Sequence, residues 1–187
     1  MSKKSLSAVK AKSEELKIPY ENLLSAFVIE EAVTAVCESD EAENFRLKNN
    51  SILSLEYYRR KAPTRLEYVI LSEEELTVRN VIHRMSKIFQ NEKKAELWWK
   101  YRVEKEDEGI CVYLSAKIEE LQIPVQLVLE QEKEEPSEPS HEELHPFLEE
   151  DRSVEYLHYP MEGILAEHFI RIMRDMELIN DMGSYYI

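Results

Sequence analysis

Apolar residues recur at helical spacing in the first part of the chain. The segment from Ser5 to Lys17 predicts a short polar helix that ends before Pro19, because a residue preceding proline is disfavoured in helical geometry. From Tyr20 to Glu38 the apolar residues line one face and predict a core helix, with Glu30 and Glu31 on its wet face. The apolar residues are Leu24, Phe27, Val28, Ala32, Ala35 and Val36.

A strand, a turn and a helix are predicted next. Phe45 to Leu47 is a short apolar strand, Lys48 to Ser51 is a polar turn, and the apolar and aromatic segment up to Tyr58 predicts a helix. Leu66 to Leu71 predicts a strand, since it is rich in β-branched and aromatic residues. A serine followed by glutamates resembles a capping box and predicts a helix from Ser72 to about Phe89.

The second half of the chain is dominated by strand patterns. Three segments, Trp98 to Glu104, Gly109 to Lys117 and Ile123 to Glu130, predict an antiparallel meander. Val154 to Leu157 predicts an edge strand, and Pro160 opens a last amphipathic helix. The apolar face of that helix comprises Leu165, Phe169, Ile172, Met173 and Met176. These elements predict a single α/β (α+β) domain over 1–187, with a mixed sheet flanked by N-terminal and C-terminal helices.

An acidic stretch interrupts the strand pattern. Glu130 to Glu143 is rich in glutamate and contains two prolines and two serines, which predicts a solvated loop within 130–153. His141 and His145 have a spacing that suits a metal only on a helix, so in this composition we interpret them as loop residues.

The net charge of the chain limits the classes of partner that it is expected to bind. With 24 basic and 38 acidic side chains, the net charge of −14 repels phosphate backbones and argues against nucleic-acid binding. One local basic cluster could hold an anionic ligand or an acidic partner surface, or could simply pair with Glu56 and Glu67. This basic cluster comprises Arg59, Arg60, Lys61 and Arg65.

The sequence predicts neither a membrane-spanning helix nor a secretory signal. No apolar run approaches the roughly 20 residues that a spanning helix needs. The basic N-terminus has no apolar segment behind it, as a secretory signal would have, so we expect a cytoplasmic protein without membrane contact. Cys37 and Cys111 lie far apart and are expected to be free thiols.

Four segments occur in a characteristic order, namely FRLKNNSILSL, APTRLEYVI, EGICVYLSAKIEELQIPVQLVLE and HYPMEGILAEHF. Taken together, they resemble the AbiEii/AbiGii-type nucleotidyltransferase toxins of abortive-infection toxin–antitoxin systems, in the DNA polymerase β-like superfamily. The resemblance in order and spacing extends from about Ile18 to Tyr186. It implies a nucleotidyltransferase-like fold.

The resemblance also marks where the chemistry of the family would lie. Lys48 is retained, whereas Asn49 and Asn50 stand where the family has two glycines that let the backbone approach a triphosphate. These three residues are either a residual anion site or a structural turn. In the segment that follows, the family pattern Thr-Arg-Asp-x-Asp is reduced to Thr64 and Arg65.

The three metal-binding aspartates of the family are replaced by Leu66, Tyr68 and Val128. We expect these three side chains to lie together and to fill the former cleft, with the basic cluster at its rim. Because magnesium requires several converging oxygen ligands, the replacements argue against metal-dependent transfer. The resemblance therefore implies a degenerate member, a pseudoenzyme with no metal and no cofactor.

We expect a non-catalytic binding or regulatory module with a protein partner, such as an antitoxin-like protein. Two alternatives remain open. An active nucleotidyltransferase toxin with a rearranged site would use Mg²⁺ and a nucleoside triphosphate, with Glu67, Glu130 and Glu167 as displaced ligands and Lys48 on phosphate. An acidic protein-interaction domain would instead bind a basic partner through charge complementarity.

Overall fold

A computed structural model describes residues 2–89, 97–106, 109–134, 137–149 and 151–183 of the chain, with side chains over 5–174 of these. The helices are α1 (Ser2–Leu16), α2 (Tyr20–Cys37), α3 (Leu55–Arg60), α4 (Val78–Phe89) and α5 (Met161–Gly183). The strands are β1 (Phe45–Leu47), β2 (Arg65–Leu71), β3 (Trp98–Glu106), β4 (Gly109–Ile118), β5 (Leu121–Glu132), β6 (Ser140–Leu144) and β7 (Val154–His158). Short 3₁₀ turns occur at Ala42–Asn44 and Asn50–Leu53.

The seven strands form one mixed sheet in the order β3-β4-β5-β2-β1-β7-β6. The predicted meander forms the antiparallel β3-β4-β5 half. β2 runs parallel to β5, and β1 runs antiparallel to β2 and parallel to β7. The predicted α+β fold is therefore confirmed.

One face of the sheet packs against the first four helices. Alternate strand residues, such as Leu66, Tyr68 and Leu127, share a continuous apolar core with residues of α1, α2, α3 and α4. α2 is buried on most of its surface because it contacts the sheet on one side and α1 on the other. The opposite face of the sheet, here called the second face, carries the intervening residues, among them Glu67 and Glu130.

α4 begins six residues later than the sequence pattern predicts, at Val78 and not at Ser72. Gln131 of β5 accounts for the difference, because its side chain donates hydrogen bonds of 2.8 Å to the carbonyls of Ser72 and Glu74 and so takes up carbonyls that a helix would need. The cap of the helix is formed by Thr77 and Asn80, whose side chains each accept a hydrogen bond from the backbone N–H of the other.

The acidic stretch is not one loop. β5 continues to Glu132, and Ser140–Leu144 forms β6, which pairs antiparallel with β7. β6 is therefore the edge strand, and β7, predicted to be an edge, lies between β1 and β6. Residues 135, 136 and 150 of the predicted loop lie outside the described residues.

None of the helices in the described ranges is long and apolar enough to cross a membrane.

Candidate functional site

Lys48 lies at the end of β1 and contacts carboxylates from two other elements. Its Nζ is 2.8 Å from Oε2 of Glu130 on β5 and 2.6 Å from Oε2 of Glu167 on α5. The Lys48 side chain is only 8% exposed. Burial disfavours the ammonium form, but the hydrogen bonds with Glu130 and Glu167 outweigh it and raise the pKa of Lys48 above its usual value. Lys48 is therefore a fixed cation that joins the sheet to α5.

Strand alternation brings these groups together. Leu47 faces the core, so the next residue, Lys48, points toward the second face of the sheet. Leu129 likewise faces the core and Glu130 the second face. The backbone N–H of Lys48 donates 2.8 Å to the carbonyl of Glu67, which holds the end of β1 against β2.

Tyr159 completes the contact between the sheet and α5. Its hydroxyl donates a hydrogen bond of 2.6 Å to Oε1 of Glu132, and Lys48 Nζ lies 5.7 Å from the centre of its ring. Burial, the bond to Glu132 and the nearby carboxylates raise the pKa of this hydroxyl, so it stays a donor. We call Lys48, Glu130, Glu132, Tyr159 and Glu167 the Lys48 cluster.

The Lys48 cluster fixes which side of α5 points outward. At about 100° per residue, Gly163 and Glu167 lie on the side facing the cluster, and the predicted apolar residues lie largely opposite. Their exposed fractions are 62% for Leu165, 64% for Phe169, 56% for Ile172 and 45% for Met173. We call these four residues the α5 apolar face. Met176, also predicted for this face, lies outside the described side chains.

Asn49 is a structural residue of the turn after β1. Its side-chain amide donates 3.0 Å to the carbonyl of Arg65, and its side-chain oxygen accepts 3.0 Å from the N–H of Glu67. Asn49 has a φ of −102°, so the turn does not use the left-handed geometry of a glycine pair there. Asn50 opens the 3₁₀ turn that follows, and its side chain contacts Tyr156.

The three positions that replace the family's aspartates do not lie together. Leu66 and Tyr68 are buried in the core between the sheet and the helices. Val128 pairs in register with Glu67, so it lies on the second face. The expectation of one filled cleft is therefore wrong, because the sheet separates Val128 from Leu66 and Tyr68. The Tyr68 hydroxyl is buried without a hydrogen-bond partner among the described residues.

The basic cluster is engaged in local ion pairs. Arg60 lies 2.6 Å and Arg59 3.6 Å from carboxylate oxygens of Glu56, and Arg65 lies 3.0 Å from Glu67. Lys61 is the C-terminal cap of α3. Pairing with Glu56 and Glu67 is the alternative that the sequence left open, and these exposed pairs each contribute little to stability.

Three glutamates are the candidate displaced metal ligands of the enzyme alternative. The structure brings Glu130 and Glu167 together, because both contact Lys48. The third, Glu67, contacts Arg65 instead. In the described part of the chain, no group of three or more His, Cys, Asp or Glu side chains is arranged to hold a metal. His141 contacts Glu155 and His145 contacts Glu143, so these histidines have separate carboxylate partners.

The sequence interpretation missed several contributors. Tyr159, Glu132 and Gly163 were not identified, although a tyrosine before a proline and a glycine one turn into a helix are visible in the sequence. Glu30, predicted on the wet face of α2, is instead 3% exposed and contacts Tyr58 and Phe147. No local pattern indicates that these two residues approach it.

No protein-family model and no curated protein sequence matches this chain.

Proposed function

We propose that this chain is a non-catalytic, nucleotidyltransferase-like protein-binding module, and that the α5 apolar face is its binding element. The observation that carries the proposal is the orientation of α5. Its polar side is fixed to the sheet by the Lys48 cluster, and four large apolar side chains are left in solvent. Contiguous exposed apolar surface of this kind marks interaction sites.

The partner best suited to this surface has an apolar groove with a basic rim. An amphipathic helix binds such a groove through side chains spaced three and four residues apart, as Leu165, Phe169 and Ile172 are. The net charge of −14 favours a basic partner and repels a second copy of the chain. The resemblance to the AbiEii toxins makes an antitoxin-like protein one such partner. We place the complex in the cytoplasm, since both cysteines are free thiols.

The state of Lys48 supports binding over nucleotidyl transfer. A triphosphate that approached Lys48 would have to displace both Glu130 and Glu167 from its ammonium group. It would also meet the negative field of an acidic chain. Both effects oppose the alternative in which Lys48 binds phosphate.

A photo-cross-linking residue placed at Phe169 in the native host identifies the partner, which is then purified so that the dissociation constant can be measured. We expect Phe169→Asp to raise this constant by about 100-fold or more, as for a central apolar anchor. Ile82 of α4 offers a matched control, because it is 44% exposed on another element and Ile82→Asp should leave the constant nearly unchanged.

Three results would overturn the proposal. One is a cross-link only to a second copy, with a dimer in analytical ultracentrifugation. Another is a partner whose affinity is equally insensitive to Phe169→Asp and Ile82→Asp. The third is magnesium-dependent binding of a nucleoside triphosphate that is lost in Glu130→Gln and Glu167→Gln, which would favour the enzyme alternative.

A further inference from the structure

A cavity of about 320 Å³ lies on the helical side of the sheet, and no residue of the Lys48 cluster lines it. It lies between α1, α2, α3 and the segment 145–147. Its walls include Leu16, Leu53, Leu55, Tyr58 and Phe147. This volume is at the lower end of the range of small-ligand sites, about 300–1,000 Å³.

Glu30 contributes the one carboxyl group in this lining that is buried. It is 3% exposed, and each of its oxygens accepts one hydrogen bond. The Tyr58 hydroxyl donates 2.9 Å to Oε1, and the Phe147 N–H donates 3.1 Å to Oε2. A carboxylate offers about four acceptor sites, so lone pairs remain for a ligand. Within the described ranges, no basic side chain forms an ion pair with Glu30.

The charged groups around Glu30 in the described ranges do not offset the cost of burying its carboxylate. Burial raises its pKa to about 8, although the bonds from Tyr58 and Phe147 lower it in part, and the neighbouring Glu31 raises it further. On α1, Lys12 and Glu15 also line the cavity and form an ion pair of 3.0 Å with each other. His145 lies at the exposed rim and contacts Glu143. A cation entering the cavity would supply the missing partner of the Glu30 carboxylate.

We propose that this cavity binds a small ligand made of a primary ammonium group on a compact apolar body, with Glu30 as the counter-ion. The leucines of the wall would contact the apolar body. The rings of Tyr58 and Phe147, whose centroids lie 6.4 Å apart, add aromatic surface to the apolar wall. A carboxylate and apolar walls together select an organic cation over an anion and over a neutral molecule.

Binding of a ligand in its ammonium form should release one proton from the Glu30 carboxyl. In the free protein near neutral pH the Glu30 carboxyl keeps its proton, and in the complex the carboxylate pairs with the ammonium, so one proton is released to the buffer. The affinity for the amine should therefore rise about tenfold per pH unit until the pH reaches the pKa of Glu30. A neutral ligand releases no proton and shows no such rise.

Titration calorimetry with benzylamine and benzyl alcohol tests the proposal, because the two probes share an apolar body and differ in charge. At about pH 7 we expect benzylamine to bind at least about tenfold more tightly than benzyl alcohol, since a desolvated ion pair is stronger than a neutral hydrogen bond. Measurements in buffers of different ionisation enthalpy should report release of about one proton for the amine.

Three variants separate the site from the fold. Glu30→Gln should abolish the preference for the amine and the proton release. Glu14→Gln, which alters an exposed carboxylate of α1 outside the cavity lining, should leave both unchanged. Leu55→Trp fills part of the cavity from a half-exposed position and leaves the Glu30 carboxyl in place, and it should abolish binding in a protein that keeps its circular dichroism. Equal affinity for amine and alcohol, failure of both probes to bind at millimolar concentration, or a preference that survives Glu30→Gln would each overturn the proposal.

Discussion

Gly163 lies so close to the ring of Tyr159 that a Cβ atom at its position would be 2.6 Å from Cε1 of that ring. The Tyr159 ring is held in place because it is buried and its hydroxyl is bonded to Glu132. This close approach brings the first turn of α5 onto the second face, where Glu167 reaches Lys48. The orientation of the α5 apolar face therefore depends on a residue without a side chain.

Gly163→Ala should loosen α5 from the sheet. The added methyl group forces Tyr159 to move, and overpacking of this kind costs about 1–3 kcal/mol, partly offset by the higher helix propensity of alanine. We expect faster amide exchange in α5 and a lower free energy of unfolding. The neighbouring exposed residue offers the control, Glu162→Ala, which should change neither quantity by more than about 0.5 kcal/mol. Equal exchange rates in the two variants would contradict the role assigned to Gly163.

Lys48→Met should destabilise the protein through the carboxylates that remain. Without the ammonium group, Glu130 and Glu167 are left facing each other, and we expect a loss of about 1–3 kcal/mol in urea unfolding. Arg60→Met removes an exposed ion pair to Glu56 and should cost less than about 1 kcal/mol. Combining Lys48→Met with Glu130→Gln and Glu167→Gln should recover much of the loss, since no charge is then unpaired. If the triple variant does not recover stability, the loss in Lys48→Met comes from packing and not from unpaired carboxylates.

Asn49→Ala should weaken the join between β1 and β2. The Asn49 side chain bonds to the carbonyl of Arg65 and to the N–H of Glu67, and it thereby extends the hydrogen bonding between β1 and β2 by one residue. Loss of both bonds should lower the free energy of unfolding by about 1–2 kcal/mol. Asn49→Asp keeps an acceptor for the N–H of Glu67 but places a carboxylate oxygen against the carbonyl of Arg65, so we expect a loss at least as large as that of Asn49→Ala. If both variants match the wild type in chemical denaturation, the bonds do not contribute.

The sequence predicts the elements whose signals are local. The periodicity of α2, the strand pattern of the meander and the proline before α5 each predict an element that the structure contains. The start of α4 depends instead on Gln131, a residue on a distant strand, and the capping signal at Ser72 could not reveal it. The β6 strand likewise depends on pairing with β7, which overrides the acidic, proline-containing composition.

The candidate site was harder to predict because the arrangement of its residues is set by strand register. The resemblance places Leu66, Tyr68 and Val128 in one set, but the parallel register of β2 and β5 pairs Val128 with Glu67. The same register allows Glu130 to meet Lys48 on the second face. Glu30 shows the same limit, since its burial depends on contacts with Tyr58 and Phe147 that are remote in sequence.

Glu30 should make the folded state less stable as the pH rises through the neutral range. Its pKa is raised from about 4.5 to about 8 in the folded protein, so the folded state holds a proton that the unfolded state has lost. Its contribution to stability is therefore complete below about pH 4.5 and is lost progressively as the pH rises through about 8, by up to about 1.4 kcal/mol per pH unit. We expect urea unfolding at several pH values to show this decline in the wild type and a flatter profile in Glu30→Gln, which carries no ionisable group there. Glu14→Gln, which alters an exposed carboxylate of α1 outside the cavity, should retain the slope of the wild type. A wild-type profile that is already flat between about pH 5 and 8, or a slope that Glu30→Gln leaves unchanged, would show that the buried carboxyl does not hold its proton in the folded state.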